Sequence, residues 1–260
     1  MKAVILCGGQ GTRIRDVADD IPKPMIRIGD RPILWHIMRT YGAANITDFV
    51  LCLGYKSWAI KEYFLNLRAQ LSDLTISPGR PGEVHYGQAH FPEAEWQIVL
   101  AETGLTAQTG ARLWRVRDYL SGESTFCLTY GDGVSDVPID RLIAFHESHG
   151  RAATVTAVRP PGRFGVLDLD GNGVSGFREK AASDSGFING GFFVLSPGAI
   201  DRIGGDDTVW ESGPMEGLAR DGELMAYPHE GFWQPMDTLR DKAYLEELWL
   251  SGRPPWKTWA

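Results

Sequence analysis

The stretch Lys2-Ala3-Val4-Ile5-Leu6-Cys7-Gly8-Gly9-Gln10-Gly11-Thr12-Arg13 decides how the rest of the chain is read. Lys2–Cys7 is a short apolar run ending in paired glycines, which predicts a buried strand entering a tight turn. Glycines let the backbone approach a phosphate chain closely and aim several N–H groups at it. A dinucleotide fingerprint beginning at Gly9 would need Gly or Ala where Ile14 stands. A Walker loop would need Gly-Lys-Ser/Thr after four residues, but Arg13-Ile14 follow Thr12. A plain glycine turn remains open on these residues alone.

Working outward, Pro32 and the spacing Ile33, Leu34, Ile37, Met38, Tyr41 predict a helix, and Asp48–Leu53 a second strand. A helix is expected over 58–67, a strand over 98–101, a helix over 113–120 and a third buried strand over 125–130. A helix over 139–149 and a strand over 152–158 follow. Strands over 164–168 and 174–177 flank Asp170-Gly171-Asn172-Gly173, a hairpin signal because Gly and Asn accept positive φ. A strand over 188–195 and a helix over 239–249 complete the pattern. Strand–helix alternation through the first part of the chain predicts an α/β fold with a mixed, mainly parallel central sheet flanked by helices. The hairpin breaks that alternation and suggests a small β-rich lobe packed on the sheet.

Composition bounds what such a fold could do. At 260 residues, with 43% hydrophobic and 23% charged positions, the chain can bury a sizeable core without disulfides. A net charge of −7 argues against a nucleic-acid or anionic-membrane partner, which would call for a basic face. No apolar run approaches a membrane span, and the N-terminal run is too short for a signal peptide. Cys7, Cys52 and Cys127 each sit in apolar runs, as buried reduced thiols do, and a cytoplasmic protein is expected.

Ten residues beyond Arg13, Pro22-Lys23-Pro24 stiffens the backbone around one cation. With Met25 and Arg31-Pro32-Ile33-Leu34, the pair GGxGTR and PKPM resembles the sugar-nucleotidyltransferases, which couple a sugar 1-phosphate to a nucleoside triphosphate. The likeness continues through Thr129-Tyr130-Gly131-Asp132-Gly133, Pro160-Pro161-Gly162-Arg163-Phe164-Gly165 and Ile188-Asn189-Gly190-Gly191-Phe192-Phe193. Phe232-Trp233-Gln234-Pro235-Met236-Asp237-Thr238 and Pro255-Trp256-Lys257-Thr258-Trp259 extend it to the branch using CTP and glucose 1-phosphate. Where that branch tends to carry Thr-Met-Thr-Gly, this chain has Ala107-Gln108-Thr109-Gly110.

The resemblance implies a Rossmann-like nucleotide-diphospho-sugar transferase fold in one domain over 1–260. Its nucleotide-binding part would span about 1–160, a sugar-binding β-rich lobe about 161–237, and a C-terminal helix and tail 238–260. It implies Arg13 and Lys23 as catalytic cations, with Leu6, Gly8, Gly9, Gly11, Thr12, Arg13, Lys23, Thr109, Gly110, Arg112 and Gly131 around the nucleotide. Lys180 would hold the sugar phosphate, and Gly165, Glu179 and Asn189 the sugar. Asp132 and Asp237 would hold Mg²⁺, which takes one or two carboxylates plus phosphate oxygens. A homo-oligomer, with a hexamer as one form, is also implied. Other readings stay open for three of these: Asp132 as an ordinary turn residue, Asp237 as a helix cap, Lys180 as a surface lysine. Thr238 with Asp241 three residues on offers an alternative cap for that helix.

Other features point elsewhere or nowhere. His146 and His149 sit three apart on a predicted helix without a third ligand nearby, and read as exposed histidines rather than zinc ligands. No Gly-x-Ser-x-Gly elbow exists for a serine hydrolase. Trp233, Trp249, Trp256 and Trp259 read as packing or oligomer contacts. A thymidylyl- or uridylyltransferase and a non-catalytic nucleotide-sugar sensor are the competing functions. The phosphate machinery does not choose the base, and a sensor would have been favoured by loss of Arg13, Lys23 or an aspartate.

Overall fold

A strand with apolar residues on both faces belongs inside a sheet covered on both sides, and β1 (Lys2–Leu6) is fully buried from Ala3 to Ile5. Its alternating side chains feed two cores. Ala3, Ile5 and Cys7 face one cluster, Val4 and Leu6 the other. The computed structural model describes residues 1–9, 21–80, 82–87, 91–160, 165–170, 173–179 and 186–259, with 165–170 and 173–179 described through their backbone.

In chain order, β1 is followed by the ribbon β2 (Arg27–Ile28) and β3 (Arg31–Pro32), then α1 (Ile33–Ala43) and β4 (Asp48–Leu53). Next come α2 (Ser57–Leu65), α3 (Leu67–Leu71), β5 (Leu74–Ile76), β6 (Val84–Tyr86) and β7 (Gln97–Glu102). Then follow α4 (Thr109–Arg115), β8 (Phe126–Tyr130), β9 (Gly133–Ser135), α5 (Ile139–His149), β10 (Ala153–Val158), β11 (Gly165–Asp170) and β12 (Gly173–Glu179). The remainder is β13 (Ile188–Leu195), α6 (Gly213–Arg220), β14 (Leu224–His229), β15 (Trp233–Pro235) and α7 (Leu239–Leu250).

Seven of these strands form one sheet in the order β14-β10-β13-β8-β1-β4-β7. β8, β1, β4 and β7 pair in parallel, as do β10 and β14, while β13 runs antiparallel to both neighbours. The expected mixed, mainly parallel α/β sheet is therefore observed. Of the stretch expected to form a β-rich lobe, β11 and β12 make a separate two-stranded sheet, whereas β13 and β14 belong to the main sheet. The sequence reading also differs at α4. That helix begins at Thr109 and ends at Arg115, and a separate 3-10 turn covers Arg117–Leu120. Gly110 hides the helix start from a propensity reading, yet only a glycine fits: a Cβ there would meet the Thr208 carbonyl at 2.8 Å.

On one face α1 buries Ile33, Leu34, Ile37, Met38 and Tyr41 against β1 and β4. His36, on the same helix, is fully buried among the rings of Trp35, Trp249 and Trp256, with centroids 5.0, 4.7 and 6.0 Å away. Trp256 Nε1–H donates to His36 Nδ1 at 3.4 Å, which makes Nε2 the protonated nitrogen, donating to the Ile28 carbonyl at 3.0 Å. The C-terminal tryptophans thus serve packing within the chain. His146 corrects the expectation of exposed histidines. It is buried, with Nδ1 2.9 Å from Thr154 Oγ1, because α5 turns that residue onto β10. His149 is half-buried and meets the same hydroxyl at 2.8 Å. No cluster of three or more metal-ligating side chains occurs among the described residues, nor any helix long and apolar enough to cross a membrane.

Burial pushes His36 and His146 down to about 4. An unfolded histidine titrates near 6.5, so between these values the unfolded chain binds more protons and stability rises with pH. The contribution is complete above about pH 6.5 and lost progressively towards about pH 4. The melting temperature should therefore fall by several degrees between pH 7 and pH 5, and His36→Gln should flatten part of that slope. A His36→Gln slope identical to wild type would show that the aromatic pocket does not resist the proton.

Candidate active site

A short antiparallel ribbon brings the two predicted metal carboxylates together. β9 pairs with β15, Gly133 opposite Pro235, and Met236 N–H donates to the Asp132 carbonyl at 2.8 Å. Asp132 thus stands one residue before β9, at the C-terminal end of β8, and Asp237 two residues after β15. Ligand crevices of open α/β sheets lie beyond the carboxyl ends of their strands, and here the ends of β1 and β8 open into a cleft of about 370 Å³. Asp237 is not the cap of α7. Thr238 is, in a capping box where its hydroxyl accepts from Asp241 N–H at 3.2 Å and Asp241 accepts from Thr238 N–H at 2.9 Å.

Lys23 completes the centre of the cleft. Pro22 and Pro24 flank it in a 3-10 turn closed by Met25 N–H to the Pro22 carbonyl at 2.8 Å. Its Nζ donates to Asp132 Oδ2 at 2.7 Å and Asp237 Oδ1 at 2.6 Å. Burial alone would lower the ammonium's pKa, but the charges and hydrogen bonds of the two carboxylates outweigh it and hold the pKa above the usual lysine value. Two carboxylates converging on one cation, without a third ligand from the described residues, fit a divalent ion that draws its remaining ligands from phosphate and water.

The other wall is organised by Arg112, 5% exposed. Its guanidinium donates to the carbonyls of Leu53 at 3.0 Å, Gly104 at 2.8 Å and Gly8 at 3.0 Å, and to Thr103 Oγ1 at 2.8 Å. These acceptors are neutral, so among the described residues no carboxylate hydrogen-bonds the guanidinium. A Cβ at Gly8 would lie 2.0 Å from Arg112 Nη1, and one at Gly54 would lie 2.5 Å from the same atom. Gly8 is thus a glycine because a guanidinium occupies its side-chain space, whereas Gly9 faces open space.

Leu6, Gly8, Gly9, Lys23, Thr109, Arg112, Gly131, Asp132 and Asp237 all line the one cleft, together with Ala107, Gln108 and Tyr130. Gly110 does not join them: its N–H donates to the Thr208 carbonyl at 3.0 Å, a packing contact. Asn189 is exposed and lines a smaller adjoining cavity of about 40 Å³ with Tyr130 and Asp132. Gly165 and Glu179 lie opposite each other in the β11–β12 pairing. Gly11, Thr12, Arg13 and Lys180 lie outside the described residues. Sequence reasoning missed the placement of Tyr130 and Glu211, whose carboxylate accepts hydrogen bonds from the hydroxyls of Thr109 and Tyr130. Tyr130 ends the strand that leads to Asp132, a position from which a side chain reaches the same crevice. Glu211 carries no periodic or motif signal.

A model of the nucleotidyl transferase family matches residues 2–218. The glucose-1-phosphate cytidylyltransferase of Salmonella typhi is 52% identical over 260 residues, covering all of both chains. A probable glucose-1-phosphate cytidylyltransferase of Bacillus subtilis (strain 168) is 45% identical over 261 residues, again covering all of both. Among solved structures, UDP-glucose pyrophosphorylase complexed with UDP-glucose superposes with a TM-score of 0.68 at 13% identity, over 97% of this chain and 99% of the other. By the family match along most of its length and by these full-length relatives, the chain belongs to the nucleotidyl transferases.

Proposed function

We propose that the protein transfers CMP from CTP to α-D-glucose 1-phosphate, giving CDP-glucose and pyrophosphate. The observation that carries the chemistry is Lys23 held between Asp132 and Asp237 at the strand ends; the choice of base and sugar follows the relatives alike over their full length.

A sugar phosphate has a second pKa of about 6, so its oxygen is already a dianionic nucleophile at neutral pH and needs no general base. That oxygen attacks the α-phosphorus of CTP in line. A new P–O bond forms, the bond from the α-phosphorus to the bridging oxygen breaks, and pyrophosphate leaves with the electron pair. The barrier is anion approaching anion, so the site must supply positive charge to both partners and to the leaving group. Lys23 serves the α-phosphate from its rigid turn. Arg112 fixes the Gly8 loop and adds a buried positive field. Arg13 serves the triphosphate and Lys180 the sugar phosphate, both assigned from the motif resemblance. Asn189, with Gly165 and Glu179, reads the sugar hydroxyls. Asp132 and Asp237 would hold Mg²⁺, which when bound neutralises phosphate oxygens and aligns them for attack.

Asp132→Asn and Asp237→Asn should each lower kcat by about a hundredfold or more, because the amide keeps the shape and removes the charge. Each leaves Lys23 one carboxylate partner, so thermal melts should show a folded protein. Normal turnover in either variant would remove that residue from the metal site.

CTP should exceed UTP and dTTP in kcat/KM by at least about tenfold, roughly 1.4 kcal/mol of differential transition-state binding. Pyrophosphate release with each nucleotide measures it. Equal use of UTP or dTTP would make this a uridylyl- or thymidylyltransferase, with the phosphate chemistry unchanged.

Arg13→Ala should collapse kcat with both substrates saturating, since its contact strengthens as charge develops on pyrophosphate. Lys180→Ala should instead raise KM for glucose 1-phosphate far more than KM for CTP. A Lys180→Ala variant that mainly loses CTP affinity would reverse the assignment of the two phosphate sites.

A further inference from the structure

Glu211 lines neither cavity, yet its carboxylate joins the walls of both. One oxygen, Oε2, accepts from Thr109 Oγ1 at 2.7 Å; the other, Oε1, accepts from the Tyr130 hydroxyl. Thr109 and Tyr130 both line the main cleft, one from the start of α4 and one from the end of β8. The backbone behind Glu211 is fixed. Trp210 is fully buried and its N–H donates to Thr109 Oγ1 at 2.9 Å. A carboxylate can only accept, so the Tyr130 hydroxyl is the donor in its bond to Glu211.

The polarity of the chain of bonds is therefore set in one direction. The Tyr130 proton goes to Glu211, so the phenol oxygen can only accept, and it accepts from Asn189 Nδ2 at 3.2 Å. Asn189 Oδ1 accepts from Gly191 N–H at 2.8 Å, which fixes which end of the amide is which. The other Asn189 N–H has no partner among the described residues, on an exposed side chain at the smaller cavity. We propose that Glu211 is a positioning residue coupling the two substrate subsites, orienting Thr109 on the nucleotide side and, through Tyr130, the Asn189 amide on the sugar side. This rests on the reading above that α4 receives the nucleotide and Asn189 the sugar.

A glutamine at 211 makes the prediction sharp because it keeps the shape and loses the symmetry. An amide offers one acceptor and one donor, so either Thr109 or Tyr130 must reverse its hydrogen bond. If Tyr130 reverses, its proton turns to Asn189, whose amide must flip and abandon Gly191 N–H.

The test is steady-state kinetics with CTP and glucose 1-phosphate on Glu211→Gln, alone and combined with Tyr130→Phe and Thr109→Val, with melting temperatures alongside. Glu211→Gln should raise KM for at least one substrate by about fivefold with a smaller change in kcat, as expected for lost orientation of a binding group. In the Tyr130→Phe background it should have no further effect on KM for glucose 1-phosphate, and in the Thr109→Val background none on KM for CTP. A merely structural role would lower stability without that selective loss of effect. Should Glu211→Gln fail to fold, Tyr130→Phe should still raise KM for glucose 1-phosphate, and Asn189→Ala should add nothing to it. The proposal is overturned if Glu211→Gln leaves both KM values within twofold of wild type, or if its effects persist undiminished in both backgrounds. It also falls if Asn189→Ala and Thr109→Val leave both KM values unchanged. That outcome would locate the failure in the assignment of the subsites rather than in the coupling.

Discussion

An ammonium held by two carboxylates from distant parts of the chain is the constraint around which this site is arranged. Lys23 comes from a proline-stiffened turn, Asp132 from the end of β8, and Asp237 from the residues after β15. All three are half-buried, and their pairing offsets the desolvation that each charge would otherwise carry. It permits a polar centre at the floor of an otherwise apolar sheet. It also explains the small β9–β15 ribbon: its register, Gly133 against Pro235, sets the separation of the two aspartates.

A second cation is managed differently. Arg112 has no carboxylate partner among the described residues and is satisfied by the carbonyls of Gly8, Leu53 and Gly104 and by the Thr103 hydroxyl. Two glycines, Gly8 and Gly54, vacate the space it fills. One side chain thus sets the relative positions of three backbone segments and leaves its charge facing the cleft. Among the described residues, the cleft therefore holds one cation paired with carboxylates and one that meets neutral acceptors only.

Much of this was legible in the sequence. The strands at 48–53 and 188–195 and the helix at 139–149 stand where periodicity placed them, because long apolar runs bounded by turn residues leave little choice of state. Gly8, Gly9, Lys23, Asp132 and Asp237, drawn from separate motifs, line one cleft. What could not be read were the short ribbon strands β9 and β15, three residues each, whose existence depends on pairing across the fold rather than on local preference. Nothing in the sequence likewise signals that a distant guanidinium excludes a side chain at Gly8. His146 looked exposed because helix periodicity says which residues share a face, but not that β10 offers Thr154 to a polar one.

The aromatic pocket around His36 has a consequence for how the chain is made. α1 leaves the ribosome early, whereas Trp249, Trp256 and Trp259, which contact the His36 ring, emerge more than two hundred residues later. Through most of synthesis that face of α1 has no lid, and an apolar groove stays open to water and to other nascent chains. The N-terminal sheet can pair while translation continues, but the molecule is sealed only when residue 259 is free to turn back. The late aromatic segment acts as a closing clasp, and this face of α1 is completed by that segment rather than by the sheet.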